Sequence, residues 1–239
     1  MKERLDKILT DRKLVSSRSQ AKSLIEKGDI KVNGVVVTKA SELVLADSVI
    51  DVPAEQFVGR GAFKLIKALE EFKVDISGKT LLDVGASTGG FTEILLSSHA
   101  QKVYAIDVGR EQMAEKIKND SRVINMEGTN IKDVSSLPEL ADGAVMDLSF
   151  ISILKVLSSV HNLLKPGAFL IALVKPQFEV GFDRIPKDGV VKDPSLREAV
   201  LIEVNSFAET NGWKHHGSIT SPIEGKSGNV EYLSYFTKI

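Results

Sequence analysis

The segment Leu81-Leu-Asp-Val-Gly-Ala-Ser-Thr-Gly-Gly-Phe-Thr carries the strongest chemical signal in the chain. An apolar run reaches the acid Asp83, and a turn containing Gly85, Gly89 and Gly90 then feeds a stretch of helical character. Glycines in such a turn let the backbone approach a ligand where a side chain would collide. The spacing is not Gly-x-Gly-x-x-Gly, and no Gly-Lys-Ser/Thr follows, so neither a dinucleotide fingerprint nor a P-loop is indicated. An acid at the strand end suits a ligand with an amino group. A second apolar strand, Val103-Tyr-Ala-Ile-Asp107, ends in another acid about 20 residues on, a position that suits both hydroxyls of a ribose. Either piece alone also reads as a tight turn with a capping acid; paired at this spacing they read as a cofactor site. Asp147 and Lys175 also follow apolar strands, at the edge where ligands bind in open α/β sheets.

The elements that must position these residues alternate. A helix over Ala62–Phe72 precedes strand Thr80–Val84. Helix and strand signals then follow at Phe91–Ser97, Lys102–Ile106, Glu111–Lys118, Val123–Met126, Gly143–Met146, Ile153–Leu164, Phe169–Val174 and Pro194–Thr210. Alternation of this kind predicts an α/β fold with a mostly parallel, Rossmann-like sheet covered on both faces. The closing strands, Trp213–Ile219 and Val230–Thr237, have no helix between them, so one should run antiparallel. Gly128-Thr-Asn130 follows the third strand, where an adenine edge is often met, though Asn130 could equally cap a turn. Lys187–Asp193 reads as a polar loop, either a lid or a plain connection.

The first 53 residues read as a separate small α+β unit. Helices are expected over Met1–Thr10 and from Ser19 to Lys27, with a break at Ser16-Ser17; Asn33-Gly34 between β-branched runs signals a hairpin, and a short strand spans Ser48–Val52. Through Lys39 this unit has ten basic and five acidic residues, an excess of about +5 hidden by the net charge of -1 of the whole chain. Arg18, Lys22 and Lys27 recur at near-helical spacing. They could form an ordinary solvated face or a surface for a nucleic-acid backbone. Pro53–Gly61 forms the connector, and the expected domains are 1–58 and 59–239.

Asp83-Val-Gly-Ala-Ser-Thr-Gly-Gly-Phe resembles the cofactor loop of S-adenosylmethionine methyltransferases, especially the FtsJ-like RNA ribose methyltransferases. Arg4-Leu-Asp-Lys-Ile-Leu, Ser17-Arg-Ser-Gln-Ala and Gly28-Asp-Ile-Lys-Val-Asn-Gly resemble the S-four-type RNA-binding domain. Together with Gly59-Arg-Gly-Ala-Phe-Lys-Leu at the join, Met146-Asp-Leu-Ser-Phe-Ile-Ser, Val174-Lys-Pro-Gln-Phe-Glu, Lys187-Asp-Gly-Val-Val-Lys-Asp-Pro and Ser227-Gly-Asn-Val-Glu-Tyr, they resemble the TlyA family over nearly the whole chain. Members of that family are rRNA (cytidine-2′-O)-methyltransferases, often labelled hemolysin. The resemblance implies S-adenosyl-L-methionine as cofactor, held by Asp83, Gly85, Ser87, Thr88, Gly89, Gly90 and Phe91 of the loop and by Asp107, Asn130 and Asp147. It implies a catalytic Lys-Asp-Lys-Glu set at Lys64, Asp147, Lys175 and Glu231. It also implies ribosomal RNA or a ribosomal subunit as partner, met through Arg4, Arg18, Lys22, Lys27 and Arg60.

This set suits the chemistry. A ribose 2′-hydroxyl is a poor nucleophile until it loses its proton. Only a neutral lysine can accept that proton, and burial and a second lysine nearby both favour the neutral form. Lys175 is the expected base and Lys64 its electrostatic partner, with Asp147 and Glu231 orienting lysines and ribose; the sequence leaves open which lysine takes the proton.

Composition narrows the alternatives. With 43% hydrophobic and 26% charged residues the chain can build a core. It contains no cysteine, which removes disulfides, thiolate zinc sites and cysteine nucleophiles. His215 and His216 lack metal-type partners, so no metal is expected. The N-terminus has no apolar signal-peptide core, and no apolar run nears the roughly 20 residues of a spanning helix, so a cytoplasmic protein without a membrane role is expected. Two other readings are a non-catalytic RNA-binding or ribosome-assembly factor and a membrane-lytic hemolysin.

Overall fold

The computed structural model describes residues 2–12, 14, 15, 18–52, 57–181, 184–225 and 227–239. The expected break at Ser16-Ser17 and the Pro53–Gln56 part of the connector lie outside them. The chain divides into two compact units, Met1–Arg60 and Gly61–Ile239.

In the first unit, β1 (Lys2–Arg4) leads into α1 (Leu5–Asp11), and α2 (Arg18–Lys27) is followed by β2 (Lys31–Val32), β3 (Val35–Val36), β4 (Leu43–Leu45) and β5 (Ile50–Asp51). β2 and β3 form the expected hairpin. Asn33 and Gly34 both adopt positive φ, 50° and 82°, as its two-residue turn requires. The expectation of helix from Met1 needs correction. Lys2–Arg4 pair antiparallel with Leu43–Leu45, and the Leu5 N–H goes to the Glu42 carbonyl. This pairing is non-local, so helical periodicity within the first ten residues could not reveal it. Leu5, Ile8 and Leu9 of α1 pack on Ala21 and Ile25 of α2 and on Ile30, forming a small core.

The second unit begins with α3 (Ala62–Phe72). Then come β6 (Thr80–Val84), α4 (Gly90–Ser97), β7 (Lys102–Asp107), α5 (Glu115–Lys118), β8 (Val123–Glu127), β9 (Ala141–Met146), α6 (Leu157–Asn162), β10 (Leu164–Val174), α7 (Pro176–Glu179), α8 (Pro194–Thr210), β11 (Trp213–Thr220) and β12 (Tyr232–Lys238). The seven strands form one sheet in the order β11-β12-β10-β9-β6-β7-β8. β6 through β10 run parallel, whereas β12 is antiparallel to both β10 and β11. The expected antiparallel closing strand is therefore β12.

β6 is buried at all five positions, as a central parallel strand with both faces covered must be. Leu82 and Val84 point into the main core with residues of α6 and α8, so Leu81 and Asp83 lie on the opposite face of the pleat. α8 starts at Pro194, as expected, and the Asp193 carboxylate caps it by accepting the Ser195 N–H at 2.9 Å.

Two helices are shorter than their periodicity suggests. Glu111 has φ 56°, and the Gln112 and Met113 N–H groups donate to the Glu127 carboxylate at 2.6 and 3.1 Å, so the chain becomes helical only at Glu115. These bonds and the Asn125 side chain, the largest cause, lower the Glu127 pKa to about 2. The Ile153–Leu164 stretch opens with a 3-10 turn over Ile153–Lys155, and Leu164 already belongs to β10. A register break between Leu164 and Phe169 absorbs Pro166 and Gly167.

Candidate active site

The site lies at the carboxyl ends of the parallel strands, where loops rather than hydrogen-bonded ladders present side chains. A cavity of about 440 Å³ opens there. Gly85 and Ser87 line it after β6, Asp107, Val108 and Gln112 after β7, Thr129 to Ile131 after β8, and Asp147 to Ile151 after β9.

Asp107 ties two turns together. Its carboxylate accepts the Ser87 N–H at 2.8 Å and the Gly109 N–H at 2.7 Å. Ser87 is held at φ 47°, unusual for a serine, and its hydroxyl donates to Gln112 Oε1 at 3.1 Å. Asn130 lines the cavity and also caps a turn, accepting the Lys132 N–H at 3.1 Å. The turn-capping reading therefore holds, and the side chain stands where it lines the cavity.

Only part of the glycine-rich loop lines the cavity. Gly85 and Ser87 line the cavity, whereas Asp83, Thr88, Gly89, Gly90 and Phe91 are not part of that lining. Gly89, at φ 93°, makes room for Ile117, and Phe91 is buried. Asp83 is fully buried; the Thr92 hydroxyl donates to Oδ2 at 2.6 Å, while Oδ1 is buried without a hydrogen-bond partner. Burial is the main cause that pushes the carboxyl up to about 7; the Thr92 hydrogen bond opposes it, and the Asp147 charge adds to it.

Two lysine–carboxylate pairs converge beside the cavity. Lys64, in the first turn of α3, donates to Glu231 Oε2 at 2.6 Å, and both side chains are almost fully buried. Lys175 Nζ lies 2.6 Å from Asp147 Oδ1 and donates to Ser149 Oγ at 2.8 Å. The sheet registers explain why the pairs meet. Val174 of β10 stands opposite Tyr232 of β12, so Lys175 and Glu231 come next on neighbouring strands. Asp147 follows Met146 on β9, on the other side of β10. The Asp147 carboxylate also lies against Gly61 at the start of α3, where a Cβ would be 3.5 Å from Oδ2. Lys64 is thus paired with Glu231, and Lys175 has the carboxylate of Asp147 as its immediate partner.

Three neighbours of these residues were not singled out from the sequence. Ser149 Oγ accepts a hydrogen bond from Lys175 Nζ. Phe150, at φ 65° and 91% exposed, packs its ring 5.2 Å from that of Phe178. Glu179 accepts from Ser152 Oγ at 2.6 Å and from the Ile153 N–H at 2.9 Å. All three lie within the runs 146–152 and 174–179 that carry the family resemblance, so the runs marked the place without marking the roles.

Among the cations expected to meet RNA, Arg4 and Arg18 both bind the buried carboxylate of Asp6, at 3.0 and 2.8 Å. Arg4 is the larger cause holding that carboxyl well below the usual range. Lys22 approaches Glu26 at 3.7 Å, and Lys27 and Arg60 are exposed. No cluster of potential metal ligands occurs among the described residues, and none of their helices is long and apolar enough to cross a membrane.

A parallel sheet with an antiparallel strand inserted beside one edge, carrying a small-molecule cavity and paired lysines at its carboxyl edge, is the frame of a Rossmann-like group-transfer enzyme. Residues 57–238 match the FtsJ-like methyltransferase model and residues 3–50 the S4 domain. The chain is 41% identical over 237 residues to the 16S/23S rRNA (cytidine-2′-O)-methyltransferase TlyA of Mycobacterium tuberculosis, covering 96% of this chain and 88% of that one. It is 40% identical over 237 residues to Hemolysin A of Brachyspira hyodysenteriae, covering 98% and 99%. A solved structure from Streptococcus thermophilus, bearing the hemolysin name, superposes with a TM-score of 0.76 at 36% identity, covering 99% of this chain and 88% of that one. The chain belongs to the TlyA family of FtsJ-like methyltransferases.

Proposed function

We propose that this protein methylates the 2′-hydroxyl of a cytidine in ribosomal RNA, using S-adenosyl-L-methionine, in the cytoplasm. The observation that carries this reading is the convergence of the Lys64–Glu231 and Lys175–Asp147 pairs beside a cavity whose donor set fits that cofactor. Its size lies within the roughly 300–1,000 Å³ usual for small-molecule sites. Asp107 offers a carboxylate for ribose hydroxyls, Val108 and Ile131 offer apolar walls for a flat base, and the unpartnered Asp83 Oδ1 sits one residue inside the cavity-lining Val84. When bound, S-adenosylmethionine supplies a sulfonium methyl group already activated for transfer.

The remaining work is positional and protic. Lys175, as the neutral amine, would accept the 2′-hydroxyl proton and leave that oxygen as the nucleophile. Asp147 and Ser149 hold Nζ in place before and after. Lys64 and Glu231, locked together by their buried hydrogen bond, would set a fixed charge pair near the ribose. The exposed Phe150 ring, leaning on Phe178, is suited to stacking on an unpaired base. The N-terminal unit adds affinity for the RNA backbone through its exposed cations.

The test is single-turnover methylation of ribosomal RNA at saturating RNA and cofactor, with the modified nucleoside identified by mass mapping. Lys175→Ala should slow transfer by about 10²–10⁴-fold with cofactor affinity nearly intact. Arginine should not rescue it, because the guanidinium stays protonated. Transfer by Lys175→Ala within a few-fold of the parent, or a methyl group found on a base, would overturn the reading.

A further inference from the structure

We infer that Glu179 is a positioning residue that fixes the Asp147–Ser152 loop and, through it, the Lys175 amine; this rests on the reading of Lys175 as the group that meets the ribose hydroxyl. The loop grips Lys175 but cannot hold its own shape. Phe150 adopts φ 65° in its middle, a backbone state that an aromatic residue rarely adopts and that persists only where the surroundings impose it. The surroundings are supplied by one turn of α7. Lys175 caps this turn, its carbonyl accepting the Phe178 N–H at 2.9 Å, and Glu179 ends it, so the two side chains are tied to one rigid piece of backbone.

From that turn Lys175 takes the near end of the loop, at Asp147 and Ser149. Phe178 takes the middle, with its ring against Phe150 and 5.9 Å from Lys175 Nζ. Glu179 takes the far end. Its Oε2 accepts the Ser152 hydroxyl and its Oε1 the Ile153 N–H, while Ser152 Oγ in turn accepts the Leu154 N–H at 3.2 Å. The interactions close a ring: Lys175, loop, Glu179 and back through the turn. Opening the ring at Glu179 frees the loop to relax at Phe150 and so to move Asp147 and Ser149 away from Nζ. Burial raises the Glu179 pKa, so the acid is kept where its charge is costly. A carboxylate presents two acceptors in one plane to two donors, which explains that choice over an apolar residue.

The test compares Glu179→Ala and Glu179→Gln in the full-length protein. Hydrogen exchange at the Ile153 amide reads the clasp itself, and single-turnover methylation reads its consequence. Glu179→Ala should lose Ile153 protection and slow transfer at saturating RNA and cofactor by about 10–100-fold, the effect of a small misplacement. Glu179→Gln should recover most of both, since its amide oxygen can accept from Ile153 and its NH₂ can donate to Ser152 Oγ. Should Glu179→Ala fail to fold, Ser152→Ala opens one of the two bonds and should slow transfer severalfold. With Lys175→Ala inactive in the same assay, a parent-like rate in Glu179→Ala or Ser152→Ala despite lost Ile153 protection overturns the inference. So does a Gln variant that restores protection but not rate. A parent-like rate in Lys175→Ala instead fells the reading of Lys175, whatever Glu179 does.

Discussion

Gly85 sits directly against the backbone carbonyl of Asp147: a Cβ added there would collide with that oxygen and press on Leu148. With φ 90°, this glycine is needed on two counts, conformation and space. It lets the ends of β6 and β9 close, where the Asp147 N–H donates to the Val84 carbonyl at 3.0 Å. The glycine thus lets the loop after β9 lie against the glycine-rich turn after β6.

Gly85→Ala should therefore cost about 1–3 kcal/mol of stability, as overpacking and a strained φ do. It should also displace Asp147, weakening both cofactor binding and methyl transfer. Denaturant unfolding and calorimetry with S-adenosylmethionine check this; unchanged values in both would mean that the loops tolerate separation.

The Lys64–Glu231 pair separates stability from chemistry. Lys64→Met leaves Glu231 buried without its cation and should cost about 3–5 kcal/mol. Adding Glu231→Leu should restore much of that loss, because an apolar pair of similar volume needs no desolvated charge. Methyl transfer should stay low in the double variant. Recovery of activity along with stability would show that the pair serves the fold alone.

Asp83 predicts an inverse pH dependence. Its native carboxyl is pushed up to about 7, against an ordinary 3.8. Between those values the unfolded chain has released this proton and the native chain has not. The native state binds more protons, so the Asp83 contribution to stability falls as pH rises through that window and then stays constant. Asp83→Asn cannot ionise, so it should gain on the parent by an amount on the order of a few kcal/mol between pH about 4 and pH about 8. It should also weaken cofactor binding, having lost the carboxylate. Urea unfolding across this pH range checks the sign; parallel curves would reject it.

Four of the cations expected to meet RNA divide into two groups. Arg4 and Arg18 are committed to the buried Asp6, whereas Lys22 and Lys27 face solvent. Lys22→Glu with Lys27→Glu should lower the salt slope of RNA binding by about one for each phosphate that is no longer neutralised, at little cost in stability. Arg18→Ala should cost about 1 kcal/mol of stability by removing one partner of Asp6, as well as weakening RNA binding. Equal melting temperatures for the two variants would mean that Arg18 is not structural.

Local signals were legible wherever neighbours in the chain suffice. Thr80–Val84 is a strand feeding a glycine-rich turn, Pro194 opens α8, and Asn33-Gly34 turns the first hairpin. The residues of the candidate site were legible as types at strand ends: Asp83, Asp107, Asp147 and Lys175. Their partners were not. Lys64 and Glu231 stand 167 residues apart, and only the β10–β12 register and the placement of α3 bring them to 2.6 Å. Nor could spacing show that Gly85 makes room for the Asp147 carbonyl, that Glu127 replaces the first turn of α5, or that Asp6 claims two arginines. By itself the sequence determined the order of the elements and which residues stand at the carboxyl edge of the sheet, because propensity, turn chemistry and periodicity act between near neighbours. Only the tertiary structure decided which lysine faces which carboxylate, because that choice depends on strand register and close packing between segments far apart in the chain.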